Sequence, residues 1–310
     1  MIDNRFIEGV RSLSASGVLE YTMEASLSKL STFQIGGKCS VVVYPKNSYA
    51  LKQIIDLAIN TDTPYGVFGR CSNVLFSDKG WSGALIVTTK MKGISRKGSV
   101  ITAECGVLLN DLSKFAMRSG LSGGEFMFGI PGTVGGAVYM NAGAYEHSVA
   151  EIISSCSVYS IKENKVINYT RDEMELGYRK SVFMHDPDKI ILEATFEFPQ
   201  TKPMDEIKAQ MDDYMSRRRS KQPLEYPSAG SVFKRLEGYF TAKLIDDAGL
   251  KGRMAGGAMV STKHAGFIIN YKDAKAEDVL YLINVIKKTI AEKYGLNIEC
   301  EIIYFGDKEE

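Results

Sequence analysis

The 310-residue sequence predicts an α+β fold of two or three domains. Short runs of β-branched residues are interspersed with amphipathic segments up to about residue 200, and two longer segments with helical periodicity follow. Between these parts, FPQTKP (198–203) forms a short polar link bracketed by two prolines, which indicates a domain boundary. We therefore expect a first domain over residues 1–202, made of subdomains at about 1–90 and 91–202, and a second domain over residues 203–310.

The first domain is predicted from a βαβ-like opening and a second mixed block. SVVVYP (40–45) predicts a strand and SYALKQIIDLAIN (48–60) an amphipathic helix, and two further strands, PYGVFG and GALIVTT, follow. The second block predicts, in order, a strand in SVITAECG, a helix in LLNDLSKFAMRSG, a hairpin of CSVYSI and KVINYT that turns near Glu163 and Asn164, and a strand in KIILEATFEF.

Two helices of the second domain are predicted from apolar residues at helical spacing, which indicates faces packed in a core. These residues are Ile207, Met211 and Met215 in MDEIKAQMDDYMSRRRS, and Val279, Ile283, Ile286 and Ile290 in EDVLYLINVIKKTIAEKYG. AGFIINY and IECEIIYF predict strands, so this domain is also α+β.

The near balance of charge, with 38 basic and 37 acidic side chains, gives no support for a nucleic acid or a membrane surface as partner. The five cysteines are widely spaced and form no CxxC pair, so the sequence indicates neither a disulfide framework nor a metal site. The N-terminus MIDNRFIEGV lacks the apolar region of a signal peptide, and no window approaches the roughly 20 apolar residues of a membrane span. We therefore expect a cytoplasmic protein with reduced cysteines.

Three stretches could bind a flat or phosphate-bearing ligand. GIPGTVGGAVYMNAGAY (129–145) holds five glycines, and glycine in regular structure costs roughly 0.5–1 kcal/mol relative to alanine, so unusual dihedrals or close approach of the backbone to a ligand are expected. FGRCSNVLFS (68–77) offers backbone N–H groups beside Ser72 and Asn73, as in a phosphate-binding nest. RRRSKQP (217–223) could also meet phosphates. The alternatives are a tight turn between subdomains, a plain loop and a solvated helix end.

Isolated polar residues give further candidates, each with an ordinary alternative. Ser231 and Lys234 form an S-x-x-K pair, the nucleophile motif of penicillin-binding proteins, but no KTG follows downstream. Arg179 and Glu301 would ordinarily be packing or solvent-facing residues, and His264 is more often structural than catalytic.

Eight short motifs, however, occur in one order and spacing: STFQIGG (31–37), FGRCSN (68–73), GIPGTVGGAVYMNAGAY (129–145), GYRKS (177–181), SKQPLEYPSAGSVFKR (220–235), AKLIDDAGLKG (242–252), KHAGFIIN (263–270) and the terminal CEIIYFG. From about residue 25 to 306 this pattern resembles the UDP-N-acetylenolpyruvoylglucosamine reductase family, in its shorter subclass without an extra substrate-closing loop. The resemblance implies a FAD-binding domain over 1–202, with two α+β subdomains of the vanillyl-alcohol oxidase superfamily type, and an α+β substrate-binding domain over 203–310.

The activity implied is reduction of UDP-N-acetylglucosamine enolpyruvate to UDP-N-acetylmuramate for peptidoglycan synthesis. NADPH would be the hydride donor and FAD the cofactor, because protein side chains cannot supply a hydride. The FAD would be noncovalent, because no histidine or cysteine lies at a position that the resemblance marks for flavin attachment. We expect a monomer whose partner is this small-molecule substrate. The alternatives are another flavin oxidase of the same superfamily, or a nucleotide-sugar binding protein that has lost its flavin.

The resemblance also assigns residues to the site. Arg179 and Glu301 would stabilise negative charge on the carboxylate side of the substrate, and Ser231 would donate a proton to C2. The implied substrate-binding residues are Tyr145, Arg218, Lys221, Lys234 and His264. The implied FAD-binding residues are Gly69, Arg70, Cys71, Ser72, Asn73, Gly129, Ile130, Pro131, Gly132, Gly135, Gly136, Asn141, Ala142 and Gly143.

Two positions depart from the family pattern. Cys71 stands where the family usually has glycine, and a cysteine would be strained there if the position needs a positive φ. Ile303 stands where the family often has an arginine, two residues after Glu301.

Overall fold

The computed structural model describes residues 2–307 and groups them into two compact units. The first unit takes in residues 2–23, 41–70 and 83–218, and the second takes in residues 24–40, 71–82 and 219–307. The chain therefore contributes to the second unit at two places in its first hundred residues. The functional domains expected on either side of residue 202 stay a prediction.

The described residues contain seven α-helices: α1 (Asn4–Ala15), α2 (Ser48–Asn60), α3 (Leu109–Arg118), α4 (Val134–Met140), α5 (Met204–Lys221), α6 (Thr241–Asp247) and α7 (Ala276–Tyr294). The strands are β1 (Leu19–Ser26), β2 (Lys38–Pro45), β3 (Tyr65–Phe68), β4 (Val74–Phe76), β5 (Trp81–Val87), β6 (Ile94–Lys97), β7 (Val100–Glu104), β8 (Leu121–Ser122), β9 (Gly143–Ala144), β10 (His147–Ser148), β11 (Ile153–Ser160), β12 (Lys165–Thr170), β13 (Lys189–Glu197), β14 (Gln200–Thr201), β15 (Met254–Ala255), β16 (Ala258–Val260), β17 (Ile268–Asn270) and β18 (Ile303–Phe305).

Two sheets are built mainly from the first unit. One has the strand order β1-β2-β5-β3, in which β3 and β5 run parallel. The other has the order β12-β11-β13-β7-β6 and is antiparallel throughout. The core of the first unit is one continuous cluster of buried apolar side chains that includes residues of α1, α2, α3 and α4. The mixture of parallel and antiparallel pairing agrees with the α+β class expected from the sequence.

The first unit confirms the predicted βαβ-like opening and the predicted hairpin. Helix α2 covers the expected residues, and Asn47 caps it because its Oδ1 accepts from the Ala50 N–H at 2.8 Å. Strands β11 and β12 pair antiparallel with Ser160 opposite Lys165, and the turn between them includes Asn164 at φ 49°. Local periodicity and turn chemistry were therefore sufficient to find these elements.

The second unit contains the three-stranded antiparallel sheet β15-β16-β17, the parallel pair β4 and β18, and helices α6 and α7. The predicted α7 stripe is confirmed as core: Val279, Ile283, Ile286 and Ile290 are all buried. The stripe on α5, whose residues belong to the first unit, is confirmed only in part, since Ile207 and Met211 are buried but Met215 is half-buried.

One predicted strand is wrong in extent, and one helix was not predicted. The C-terminal strand covers only Ile303–Phe305, and Cys300 takes part in an isolated bridge with Phe233 instead of a continuous ladder. The glycine-rich stretch 129–145 is not all turn, because it contains α4, whose N-cap is Thr133. Contacts from distant parts of the chain, which local pattern does not encode, decide both cases.

Candidate functional site

The glycine-rich stretch is fixed to residues 105–110 of the first unit. Three backbone hydrogen bonds join Leu109 N–H to Gly132 O (3.0 Å), Val134 N–H to Val107 O (2.8 Å) and Gly135 N–H to Cys105 O (2.8 Å). A side chain adds a fourth, because Asn110 Oδ1 accepts from the Gly129 N–H at 2.6 Å. The stretch is therefore held as a defined surface.

Its glycines are required for two different reasons. A Cβ on Gly69 would overlap Thr133 Oγ1, and one on Gly135 would lie 2.9 Å from the Cβ of Cys105, so close packing of protein atoms requires glycine at both positions. Gly136 differs, because it is exposed and the nearest atom to a Cβ there, Thr133 Oγ1, is 3.6 Å away. Main chain is thus left bare at Gly136, at the start of α4. The Gly69 contact also brings residues 68–70 of the first unit against the glycine-rich stretch.

Cys71 has the positive φ for which backbone strain is expected from the sequence. Its φ is 52°, in the left-handed region that favours glycine, and its side chain is only 5% exposed. For a residue with a Cβ this backbone conformation costs about 1–2 kcal/mol. Burial raises the pKa of the Cys71 thiol to about 12.

The predicted catalytic residues Ser231 and Glu301 lie near each other in the second unit. The Glu301 N–H donates to the Val232 carbonyl at 2.7 Å, so Ser231 is one residue away from this backbone pairing. The Asn73 amide Nδ2 donates to the Glu301 carbonyl at 3.0 Å, and the Ile303 N–H donates to the Asn73 carbonyl at 2.9 Å. Asn73, predicted from the phosphate-type loop, therefore fixes the backbone that carries Glu301.

Tyr145 lies in a strained hairpin of the first unit. Strands Gly143–Ala144 and His147–Ser148 pair antiparallel, and the two-residue turn between them has φ 56° at Tyr145 and 69° at Glu146. Two positive φ values define a type I′ turn, which normally takes Asn-Gly. The Tyr145 hydroxyl donates to the Tyr214 carbonyl on α5 at 2.6 Å, and the two rings stack with centroids 4.2 Å apart and an interplanar angle of 7°.

The contacts of this turn are comparable in size to its strain. Two left-handed residues cost about 1–2 kcal/mol each. Against this, a hydrogen bond contributes about 0.5–1.5 kcal/mol net, and an aromatic pair contributes about 0.5–1.5 kcal/mol beyond burial. The Tyr145–Tyr214 pair therefore offsets much of the cost of the turn.

Asn141 and Arg179 form hydrogen bonds that join residues 141–143 to residues 177–179. Asn141, at φ 42°, ends α4, and its Nδ2 donates to the Gly177 carbonyl at 2.7 Å. Arg179 has φ 50°, and its Nη2 donates to the Gly143 carbonyl of the hairpin through a long contact of 3.4 Å. Its guanidinium also lies 5.2 Å from the centre of the Tyr178 ring. Backbone strain at non-glycine residues thus recurs among the predicted site residues, as is common where function fixes the geometry.

Arg218 is a half-buried cation one helical turn after Tyr214. A Cβ on Gly129 would lie 3.4 Å from Arg218 Cδ, so the side chain packs beside the glycine-rich stretch. Burial lowers the pKa of Arg218 from its usual value, while Tyr145 opposes that shift. A partly desolvated guanidinium beside the glycine-rich stretch is suited to an anionic ligand.

The remaining predicted substrate-binding residues are in more ordinary surroundings. Lys234 Nζ forms an ion pair with Glu299 Oε2 at 3.0 Å, and Lys221 is exposed at the end of α5. His264 is half-buried, and its Nδ1 accepts from the Gly266 N–H at 3.1 Å. Burial lowers the pKa of His264, so the imidazole is neutral at neutral pH. This environment agrees with the structural alternative for His264.

The other predicted FAD-binding residues line the loop and the stretch without a side-chain contact that defines a role. Arg70 and Pro131 are exposed, while Ser72, Ile130 and Ala142 are half-buried. Within the first unit the structure therefore brings together Gly69, the glycine-rich stretch, Tyr145, Arg179 and Arg218, and within the second unit Asn73, Ser231 and Glu301.

Comparison with known proteins decides the family. A model described as the FAD binding domain matches residues 39–162, and one described as the C-terminal domain of UDP-N-acetylenolpyruvoylglucosamine reductase matches residues 222–305. A curated protein of that name from Caldicellulosiruptor bescii is 45% identical over 299 residues, covering 96% of this chain and 94% of its own. The chain belongs to the UDP-N-acetylenolpyruvoylglucosamine reductase family.

Further members of this reductase family are similar to nearly the whole chain. The protein of the same name from Caldicellulosiruptor saccharolyticus is 42% identical and covers 98% of this chain and 97% of its own. The crystal structure of UDP-N-acetylenolpyruvylglucosamine reductase from Thermus caldophilus superposes with a TM-score of 0.77 at 32% identity, covering 93% of this chain and 98% of that one. The α+β fold expected from the family resemblance is thereby confirmed.

The residues of this reductase family member fit a FAD group. Gly136 leaves bare main chain at the start of α4, and Gly69 packs against Thr133, the N-cap of that helix. Arg70, Ser72 and Asn73 supply a cation and short polar groups of the kind that meet a diphosphate. Within residues 2–307, no cluster of three His, Cys, Asp or Glu side chains could hold a metal ion, and no helix is long and apolar enough to cross a membrane.

Sequence reasoning missed several residues that fix the site. Thr133 caps α4 and packs on Gly69, Asn110 holds Gly129, and Tyr214 holds Tyr145. The Ser/Thr-before-helix signal could have found Thr133. Tyr214 lies 69 residues from Tyr145 along the chain, so no local signal joins them.

Proposed function

We propose that this chain is the FAD-dependent oxidoreductase that converts UDP-N-acetylglucosamine enolpyruvate to UDP-N-acetylmuramate with NADPH, a step of peptidoglycan synthesis. The observation that carries the proposal is the 42–45% identity, over 96–98% of this chain, to two curated proteins named UDP-N-acetylenolpyruvoylglucosamine reductase. The match to a FAD binding domain over residues 39–162 supports the cofactor. We also propose a cytoplasmic monomer, with FAD bound noncovalently.

FAD is proposed to lie along the 68–73 loop and the glycine-rich stretch. Asn141 and Thr133 would keep that main chain in place through their own hydrogen bonds. When bound, the flavin supplies the hydride that NADPH has donated. We infer that residues 1–202 hold this cofactor and that residues 203–310 bind the substrate.

Three residues of the chain are proposed to act on the substrate. Arg179, a planar and permanent cation, would bind the enolpyruvyl carboxylate and stabilise the negative charge that develops once C3 has gained hydrogen. Glu301 would share in this, with its backbone fixed by Asn73. Ser231 would then donate its hydroxyl proton to C2, which completes the addition of hydrogen across the double bond.

The substrate diphosphate is proposed to meet cations near the end of α5. Arg218 is the strongest candidate because it is half-buried and burial lowers its pKa. A bound anion would replace the hydrogen bonds with water that the guanidinium has lost through burial. Lys221 is exposed and would add charge without a fixed geometry. Lys234 would have to break its ion pair with Glu299 before it could bind the diphosphate.

The visible spectrum of the purified protein tests the proposal. Flavin absorbance that is bleached by NADPH under anaerobic conditions and restored by the enolpyruvyl sugar nucleotide would support the reductase. Rapid restoration by oxygen alone would favour a flavin oxidase. A colourless protein that binds the sugar nucleotide would favour a binding protein without flavin.

A further inference from the structure

We propose that Tyr214 is a positioning residue that clamps the 143–148 hairpin and, through this hairpin, orients Arg179. The inference rests on the proposed function of Arg179 and names a device that acts on it from α5. All the residues concerned belong to the first unit. The clamp consists of the Tyr145–Tyr214 ring stack together with the hydrogen bond from the Tyr145 hydroxyl to the Tyr214 carbonyl.

The hairpin needs an external clamp because of its sequence. Its turn places Tyr145 and Glu146 at φ 56° and 69°, where neither residue type is favoured. Its ladder has two residue pairs, His147 with Ala144 and Ser148 with Gly143, and one further backbone hydrogen bond, from the Val149 N–H to the Ala142 carbonyl at 2.9 Å. A ladder this short does not hold a disfavoured turn in water. Contacts of Glu151 with His147 and Ser148 hold the second strand, whereas the turn residue Tyr145 is held by Tyr214 through the ring stack and the hydrogen bond.

The hairpin in turn carries an acceptor for Arg179. The Gly143 carbonyl accepts from Arg179 Nη2, and Gly143 pairs with Ser148 across the ladder. Position 143 requires glycine, because a Cβ there would overlap the His147 carbonyl. Arg179 itself has φ 50°, a strained backbone conformation that persists only where surrounding contacts hold it. Loosening the clamp at Tyr214 would thus let the guanidinium of Arg179 rotate away from its working orientation.

Substitutions at Tyr214 separate the clamp from general packing. Tyr214→Leu removes the ring stack but keeps the backbone carbonyl, whereas Tyr214→Phe keeps both. Tyr49→Leu is the matched control, because Tyr49 is a helical tyrosine of the same unit that is 62% exposed. Glu146→Gly is the rescue substitution, because glycine favours positive φ and would hold the turn without the clamp.

The first measurement is independent of activity: the rate at which a protease specific for glutamate cuts the holoenzyme after Glu146. We expect Tyr214→Leu to accelerate this cut about tenfold, as local opening becomes easier, while Tyr49→Leu and Tyr214→Phe do not. Equal cleavage rates in Tyr214→Leu and Tyr49→Leu would overturn the clamp.

The second measurement is stopped-flow absorbance of the two half-reactions. In Tyr214→Leu we expect reoxidation by saturating enolpyruvyl substrate to slow about tenfold, with reduction by NADPH unaffected. Adding Glu146→Gly should recover most of the lost rate, and Tyr214→Phe should retain it. A Tyr214→Leu variant that reoxidises at the wild-type rate, or a rate that Glu146→Gly does not restore, would overturn the proposal. Wild-type holoenzyme that the substrate fails to reoxidise would overturn the proposed function instead, and the protease result would still decide the clamp.

Discussion

Replacing Cys71 by glycine tests whether the strained 68–73 loop needs its side chain. Cys71 has φ 52° and is 5% exposed, so glycine would relieve about 1–2 kcal/mol of backbone strain. The substitution would also remove a small buried side chain, worth about 1 kcal/mol. It would release further flexibility in the unfolded chain, which costs about 0.5–1 kcal/mol. These effects nearly cancel, so we expect the free energy of unfolding of Cys71→Gly to change by less than about 1 kcal/mol.

Cys156→Gly is the matched control, because Cys156 is 2% exposed in β11 and its φ is not positive. It loses the same side chain with no relief of strain, so we expect a loss of about 1.5–2 kcal/mol. The difference between the two variants in urea unfolding of the holoprotein thus measures the strain at Cys71. We also expect Cys71→Gly to bind FAD as tightly as the wild type or more tightly, by fluorescence titration of the apoprotein. Equal destabilisation of both variants, or a large loss of FAD by Cys71→Gly, would refute the reasoning.

Three further outcomes follow from the same geometry. Acid denaturation and filtration should release all flavin from the polypeptide, whereas retained colour would indicate a covalent bond. Burial raises the pKa of Cys71, Cys105 and Cys156 to about 12, so these thiols stay protonated below that pH. A maleimide at about pH 8 should therefore modify none of the three until the protein is unfolded, and mass spectrometry of native protein labelled at any of them would contradict this. Asn110→Ala should weaken FAD binding about tenfold by leaving the Gly129 N–H without its acceptor, while the exposed Asn168→Ala should not.

Local sequence patterns predicted the elements whose signals lie within one segment. Helix α2 was found over its full length because Asn47 caps a strongly periodic run, and the β11–β12 hairpin because of its turn. Helix α4 was missed because its two glycines oppose helix formation, and it is held instead by bonds to Cys105 and Val107. The C-terminal strand was overestimated because the β-branched residues in IECEIIYF predict one continuous ladder, whereas Ile303–Phe305 pairs with β4 and Cys300 forms only an isolated bridge with Phe233.

The features of the candidate site also divide into those that local sequence patterns predict and those that depend on tertiary contacts. The sequence pattern pointed to strain at Cys71, and the positive φ there agrees with it. The glycines of the 129–145 stretch suggested ligand contact, but at Gly135 the closest neighbour is Cys105, which no pattern within the stretch could reveal. The contact of Asn73 with the Glu301 backbone joins residues 228 positions apart and depends wholly on tertiary structure.

The measurement that tests the central claim most directly is stopped-flow absorbance of Ser231→Ala in the two half-reactions. If the Ser231 hydroxyl supplies only the proton to C2, reduction of FAD by NADPH should be nearly unchanged, because that half-reaction involves no substrate carbanion. Reoxidation by the enolpyruvyl substrate should fall by about 10²–10⁴-fold, the usual contribution of a general acid, with little change in substrate binding. Ser231→Cys should recover part of the rate, because a thiol can also donate a proton. Equal slowing of both half-reactions would mean a structural serine, and no slowing of either would remove Ser231 from the mechanism.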